Sequence, residues 1–97
     1  MPVFEWDADK AQQNKVKHGI EFEDAALALL GLATTRLSPR ADENRFESVC
    51  ECRGRVVTVV WTPRRNAIRI ISARPASKDE QAIYRESVGR SAEARKH

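Results

Sequence analysis

Ala67-Ile68-Arg69-Ile70-Ile71-Ser72-Ala73-Arg74-Pro75-Ala76-Ser77-Lys78-Asp79-Glu80 is the stretch on which the fold turns. Its first eight residues are rich in β-branched side chains and read as a strand, which Pro75 follows. Ser77 and Glu80 then have the spacing of a capping box, in which serine and glutamate each satisfy an orphan donor at a helix start. A helix is predicted from there through about Ser87. Upstream, Arg45 to Cys52 and Val56 to Thr62 are two more strands, set apart by Arg53-Gly54-Arg55 and Pro63-Arg64-Arg65-Asn66. Connections this short suit hairpins, so the three strands form an antiparallel meander. Val56-Val57-Thr58-Val59-Val60-Trp61 is apolar on both faces and is expected to be the buried member. Leu32 to Leu37 is a further strand, joined to the meander by a polar loop over Pro39 to Asn44.

Toward the N-terminus, Val3-Phe4-Glu5-Trp6 reads as a short edge strand and Asp7 as a helix N-cap. Ala8 to His18 has no proline or glycine, gathers lysines near its end and meets Gly19, a left-handed stop. A second helix starts near Phe22, with Phe22, Ala25, Ala26, Leu29 and Leu30 at helical spacing. The expected fold is α+β: two N-terminal helices leading into an antiparallel sheet of about four strands, then a C-terminal helix. Residues 1–88 form the single domain, and residues 89–97 are read as a polar, flexible tail.

A chain of 97 residues, 41% hydrophobic and 32% charged, is sized for one small core and not for a large buried cavity. No apolar run is long enough to cross a bilayer, and Met1 to Asp9 carries acids where a signal sequence needs an apolar core, so a cytoplasmic protein is expected. Cys50 and Cys52 stand one residue apart on a strand, awkward for a disulfide and too few for a zinc site, and are expected to be reduced thiols. The net charge of +3 is uneven: Arg36 to Arg74 holds nine arginines, no lysine and four acids. The planar fork of arginine suits phosphate, so this half of the chain points to a polyanion, the alternative being a solvated charged face.

Specific residues sharpen that choice. Phe4-Glu5-Trp6-Asp7, Asn14-Lys15-Val16-Lys17-His18-Gly19-Ile20 and Phe22-Glu23-Asp24-Ala25 resemble the opening signature of the BrnT toxin family. Arg45-Phe46, Trp61-Thr62, Ile68 to Arg74, Ala76, Glu80 and Tyr84 follow in the family's order, so the resemblance spans about residues 4 to 86. Cys50-Glu51-Cys52 departs from it, standing where family members often carry glycine or small apolar residues. The resemblance implies a RelE-like ribonuclease fold and RNA cleavage that stops translation and growth. It also implies a BrnA-like antitoxin partner, with operator DNA bound only through the toxin–antitoxin complex.

Metal-free RNA cleavage needs a base for the 2′-hydroxyl, cations for the crowded phosphate and an acid for the leaving oxygen. The candidate catalytic residues are Arg69, Arg74, His18, Tyr84 and Glu47, with Lys17, Arg45, Arg64 and Arg65 as RNA contacts. Each has a plainer alternative. Strict alternation places Arg69 and Arg74 on opposite faces unless the strand is bent, and Arg74 also suits a carboxylate partner on the last helix. His18 is an acid–base candidate by residue type but also fits a helix C-terminal cap. The resemblance favours a tyrosine near Tyr84, whereas burial between helix and sheet is the ordinary fate of such a ring. Glu47 and Glu51 share a strand face, where either can act as a base or pair with arginines across the sheet. Trp6 and Trp61 can stack on bases or fill the core. His18 and His97 lack metal-ligand spacing, so neither a metal nor a cofactor is expected. A binding module that docks its arginine strand on nucleic acid or an acidic protein, without cleavage, is the competing function.

Overall fold

The computed structural model describes residues 2–39 and 44–95, and the side chains of these as far as residue 90. In chain order the elements are β1 (Val3–Glu5), α1 (Ala8–His18), α2 (Phe22–Leu29), β2 (Ala33–Leu37), β3 (Phe46–Cys52), β4 (Arg55–Arg64), β5 (Ala67–Pro75) and α3 (Lys78–Arg95). The architecture is α+β, with two N-terminal helices, a sheet and a C-terminal helix.

Local chemistry sets most boundaries. Oδ1 of Asp7 accepts from the N–H groups of Asp9 at 2.9 Å and Lys10 at 3.1 Å, opening α1. Gly19 closes it at φ 69°, its N–H donating to the Lys15 carbonyl at 2.8 Å. The β3–β4 hairpin turns on Arg53 and Gly54, at φ 51° and 80°. Two successive left-handed residues match the twist of the flanking strands. The capping box forms as its spacing predicts: Glu80 N–H donates to Ser77 Oγ at 3.2 Å, and Ser77 N–H donates to Glu80 Oε1 at 2.9 Å.

The sheet is larger than the sequence pattern predicts. Among the described residues it has five strands in the order β1-β5-β4-β3-β2, and β1 joins it parallel to β5 with Phe4 opposite Ile68 and Glu5 opposite Arg69. The other pairings are antiparallel, so the sheet is mixed. A three-residue strand carries no local mark of a partner more than sixty positions away. α3 also extends past Ser87, passing through Gly89 to Arg95. Its polar sequence is compatible with a helix as readily as with a tail. The central part of the loop after Pro39, residues 40–43, and the end of the expected tail with His97 lie outside the described residues.

Two cores form, one on each side of the sheet. Phe22, Ala25 and Ala26 of α2 pack with Cys50, Val57, Val59, Ile70 and Ala73, and Trp6 and Trp61 lean against this cluster. Val49, Ala76 and Tyr84 make a smaller core beneath α3. Val57, Thr58 and Val59 are each fully buried, so both faces of β4 are covered. No helix among the described residues is long and apolar enough to cross a membrane.

Candidate active site

The bend that the sequence left open occurs in β5. Val60 pairs with Ser72 while Trp61 pairs with Ile70, which leaves Ile71 as the extra residue of a β-bulge. That residue resets the alternation. Arg69 stands opposite Thr62 and Arg74 opposite Thr58, and these threonines share one face of β4. Both arginines therefore project from the face opposite the α2 core, into which Ile70 and Ala73 point.

The outer edge of β5 changes partner nearby. β1 covers only Ala67 to Arg69. Farther along, the Ala73 N–H donates to Oδ1 of Asn14 on α1 at 3.1 Å, while Nδ2 of Asn14 donates to the Ile20 carbonyl at 3.1 Å. Asn14 is only 7% exposed, so both bonds are shielded from water. Through them α1 is fixed against β5, and its polar side becomes the wall of an open cleft of about 820 Å³.

Among the described residues, five cationic side chains line this cleft: Lys10 and Lys17 from α1, Arg36 from β2, Arg45 just before β3, and Arg74 from β5. The half-buried imidazole of His18 and the buried carboxylate of Glu47 complete its polar lining, with Gln13, Ser38 and Ser72 beside them. Such a surplus of cations in a concave, partly desolvated site concentrates positive potential where a phosphate would sit.

Glu80, 4% exposed at the start of α3, organises the floor. Its Oε1 accepts from Arg74 Nη1 at 2.8 Å, Thr58 Oγ1 at 2.9 Å and the Ser77 N–H. Its Oε2 accepts from Arg74 Nη2 at 3.0 Å and Arg36 Nη2 at 2.9 Å. Arg36 also donates through Nε to Glu47 Oε1 at 3.0 Å. The Arg74 guanidinium is the main reason the Glu80 carboxyl is held down at about 2, helped by the Ser77 N–H and the Thr58 hydroxyl and opposed by burial. Arg74 is raised in turn by its bond to Glu80.

Of the residues singled out from the sequence, Arg74, His18, Glu47, Lys17 and Arg45 come together in the cleft. Arg69 shares that face of the sheet but lies toward the β1 edge, with Nη1 3.7 Å from Glu5 Oε2. Arg64 and Arg65 sit exposed at the β4–β5 hairpin, Arg65 at φ 50°. Tyr84 is 7% exposed in the small core under α3, its phenol pushed up by burial, and is not among the residues lining the cleft. Arg36 and Lys10 were not singled out. The Arg36–Glu47 cross-strand pair was the available signal for Arg36, readable only once β2 and β3 are in register. Cys50 and Cys52 are free thiols buried in the α2 core, Cys50 pushed up to about 12 by burial. Among the described residues no group of three or more His, Cys, Asp or Glu is arranged to hold a metal ion.

Residues 6–80 match the family model described as ribonuclease toxin, BrnT, of type II toxin–antitoxin system. No curated protein matches the chain.

Proposed function

Because the chain belongs to the BrnT family of ribonuclease toxins of type II toxin–antitoxin systems, we propose that the cationic cleft between α1 and the sheet is its RNA-cleaving site. The observation that carries this reading is the gathering, among the described residues, of five cations around the His18 imidazole and the Glu47 carboxylate in a single concavity. These are the groups that metal-independent phosphodiester cleavage requires.

In this reading the RNA 2′-hydroxyl attacks the adjacent phosphorus, and the bond from phosphorus to the 5′-oxygen breaks. A 2′,3′-cyclic phosphate and a 5′-hydroxyl result. Glu47 takes the proton of the 2′-hydroxyl and His18 supplies one to the leaving oxygen. Arg74 stabilises the charge that develops on the phosphate. It is suited to do so because a guanidinium has five N–H donors: Glu80 occupies one on each terminal nitrogen and the Pro75 carbonyl a second on Nη1 at 3.4 Å, which leaves the Nε–H and one Nη2–H for phosphate. Lys17 and Arg45 hold the flanking phosphates, and Arg64, Arg65 and Arg69 extend the basic surface beyond the cleft. Tyr84 carries no step.

Cleavage of cellular RNA in the cytoplasm then halts translation and growth. A BrnA-like antitoxin neutralises the chain by laying acidic side chains across the cleft and covering the open edge of β2, one of the two edge strands. Operator DNA is bound only through that complex.

The test is inducible expression in a bacterium without the antitoxin, following growth and total RNA together. The wild type is expected to arrest growth and fragment RNA, while soluble His18→Ala and Arg74→Ala chains do neither. Arrest that persists in both variants would remove the cleft as the site. Soluble wild-type protein with normal growth and intact RNA would leave only a binding module.

A further inference from the structure

We propose that Glu80 is a positioning residue of this RNA site, acting through Arg36 and Arg74 and resting on the ribonuclease reading above. Arg74 comes from β5 and Arg36 from β2, strands separated in the sheet by β4 and β3. Two guanidiniums on strands so far apart have no local reason to converge, and like charges repel. Glu80 reaches between them from the first turn of α3. It binds Arg74 through both carboxylate oxygens and Arg36 through Oε2, while Thr58 Oγ1 and the Ser77 N–H fix the carboxylate itself.

The result is a pair of cations held before substrate arrives, both on the cleft lining, with their anchor buried beneath them. Preorganised donors stabilise developing charge without having to reorganise during the reaction. Removal of Glu80 leaves the arginines charged and present but no longer registered to one phosphate. That loss falls on turnover more than on binding, because the cations still attract RNA. The capping-box glutamate thus links the start of α3 to the geometry of the cleft. Glu80 itself touches no substrate in this arrangement.

Glu80→Gln tests the assignment, with Glu80→Asp as a second variant that keeps the charge but is too short to span both arginines, Thr58 and Ser77 together. Val49→Ala, which loosens the core under α3 without touching the arginines, serves as the stability control. Both Glu80 variants are expected to lose kcat on an RNA oligonucleotide about tenfold or more with KM changed far less. In an Arg74→Lys background the same Glu80 change is expected to cost at most about threefold, since residues that act through one another are not additive.

Equal losses in both backgrounds, or an equal loss of kcat in a comparably destabilised Val49→Ala chain, would overturn the proposal. The Nη–Hη NMR signals of Arg36 and Arg74, the groups that bind Glu80, give a readout that needs no catalysis. They are expected to be ordered in the wild type and to broaden or collapse in the Glu80 variants. Unchanged signals would overturn the positioning role even if the wild type cleaved no RNA. A wild type without cleavage but with the expected signals would overturn the ribonuclease reading alone.

Discussion

A carboxyl whose ordinary titration point is 4.5 is held at about 2 in Glu80, chiefly by the Arg74 guanidinium. Depression of the folded value means that the ionised carboxylate favours the folded chain. Its contribution is complete above pH about 4.5 and disappears as pH falls toward about 2. The shift corresponds to about 3 kcal/mol of folding stability for this almost fully buried group. Urea unfolding followed across that window should show the acid-side decline in the wild type and a flatter curve in Glu80→Gln. Equal slopes would mean that Glu80 does not couple to folding. Cys50 is the opposite case: burial pushes its thiol up to about 12, so it has very little thiolate at neutral pH. Alkylation of Cys50 should be slow in the folded chain and rapid in denaturant. Fast native labelling would contradict its place in the core.

Among the elements, β5 shows where the sequence was readable and where it was not. Its existence, the hairpin before it and the capped helix after it follow from β-branched residues, a short connection and the Ser77–Glu80 spacing, all of them local signals. The bulge at Ile71 has no such mark, since an extra residue in a strand shows only against its partner's register. For that reason the meeting of Arg74 with His18 and Glu47 was a matter of candidates, while the separation of Tyr84 from them was not foreseeable from helical spacing alone. The parallel pairing of β1 was hidden for the same reason. Asn14 joins α1 to β5 in the turn of helix before His18. Asn14→Ala strips the partners from the Ala73 N–H and the Ile20 carbonyl and should cost about 2–4 kcal/mol, measurable by chemical denaturation. A cost below about 0.5 kcal/mol, the range of ordinary surface changes, would mean that α1 is held otherwise. Gly54, at φ 80° in the β3–β4 turn, should lose about 1–2 kcal/mol on change to valine through backbone strain alone.

At the scale of the whole molecule, a net charge of only +3 conceals a strongly cationic cleft on one side of the sheet and an apolar core on the other. RNA held mainly through phosphates should bind more weakly as salt rises, and loss of Arg45 should lower the slope of log affinity against log salt by about 0.7. An unchanged slope would place the RNA path away from Arg45. The measurement that bears most directly on the account is incubation of the purified chain with a short RNA in the presence of a metal chelator, beside folded His18→Ala and Arg74→Ala chains, with the product ends identified. Cleavage by the wild type to 2′,3′-cyclic phosphate and 5′-hydroxyl ends, largely lost in both variants, is the predicted result. Cleavage that stops with chelation, or continues undiminished in both variants, would contradict it.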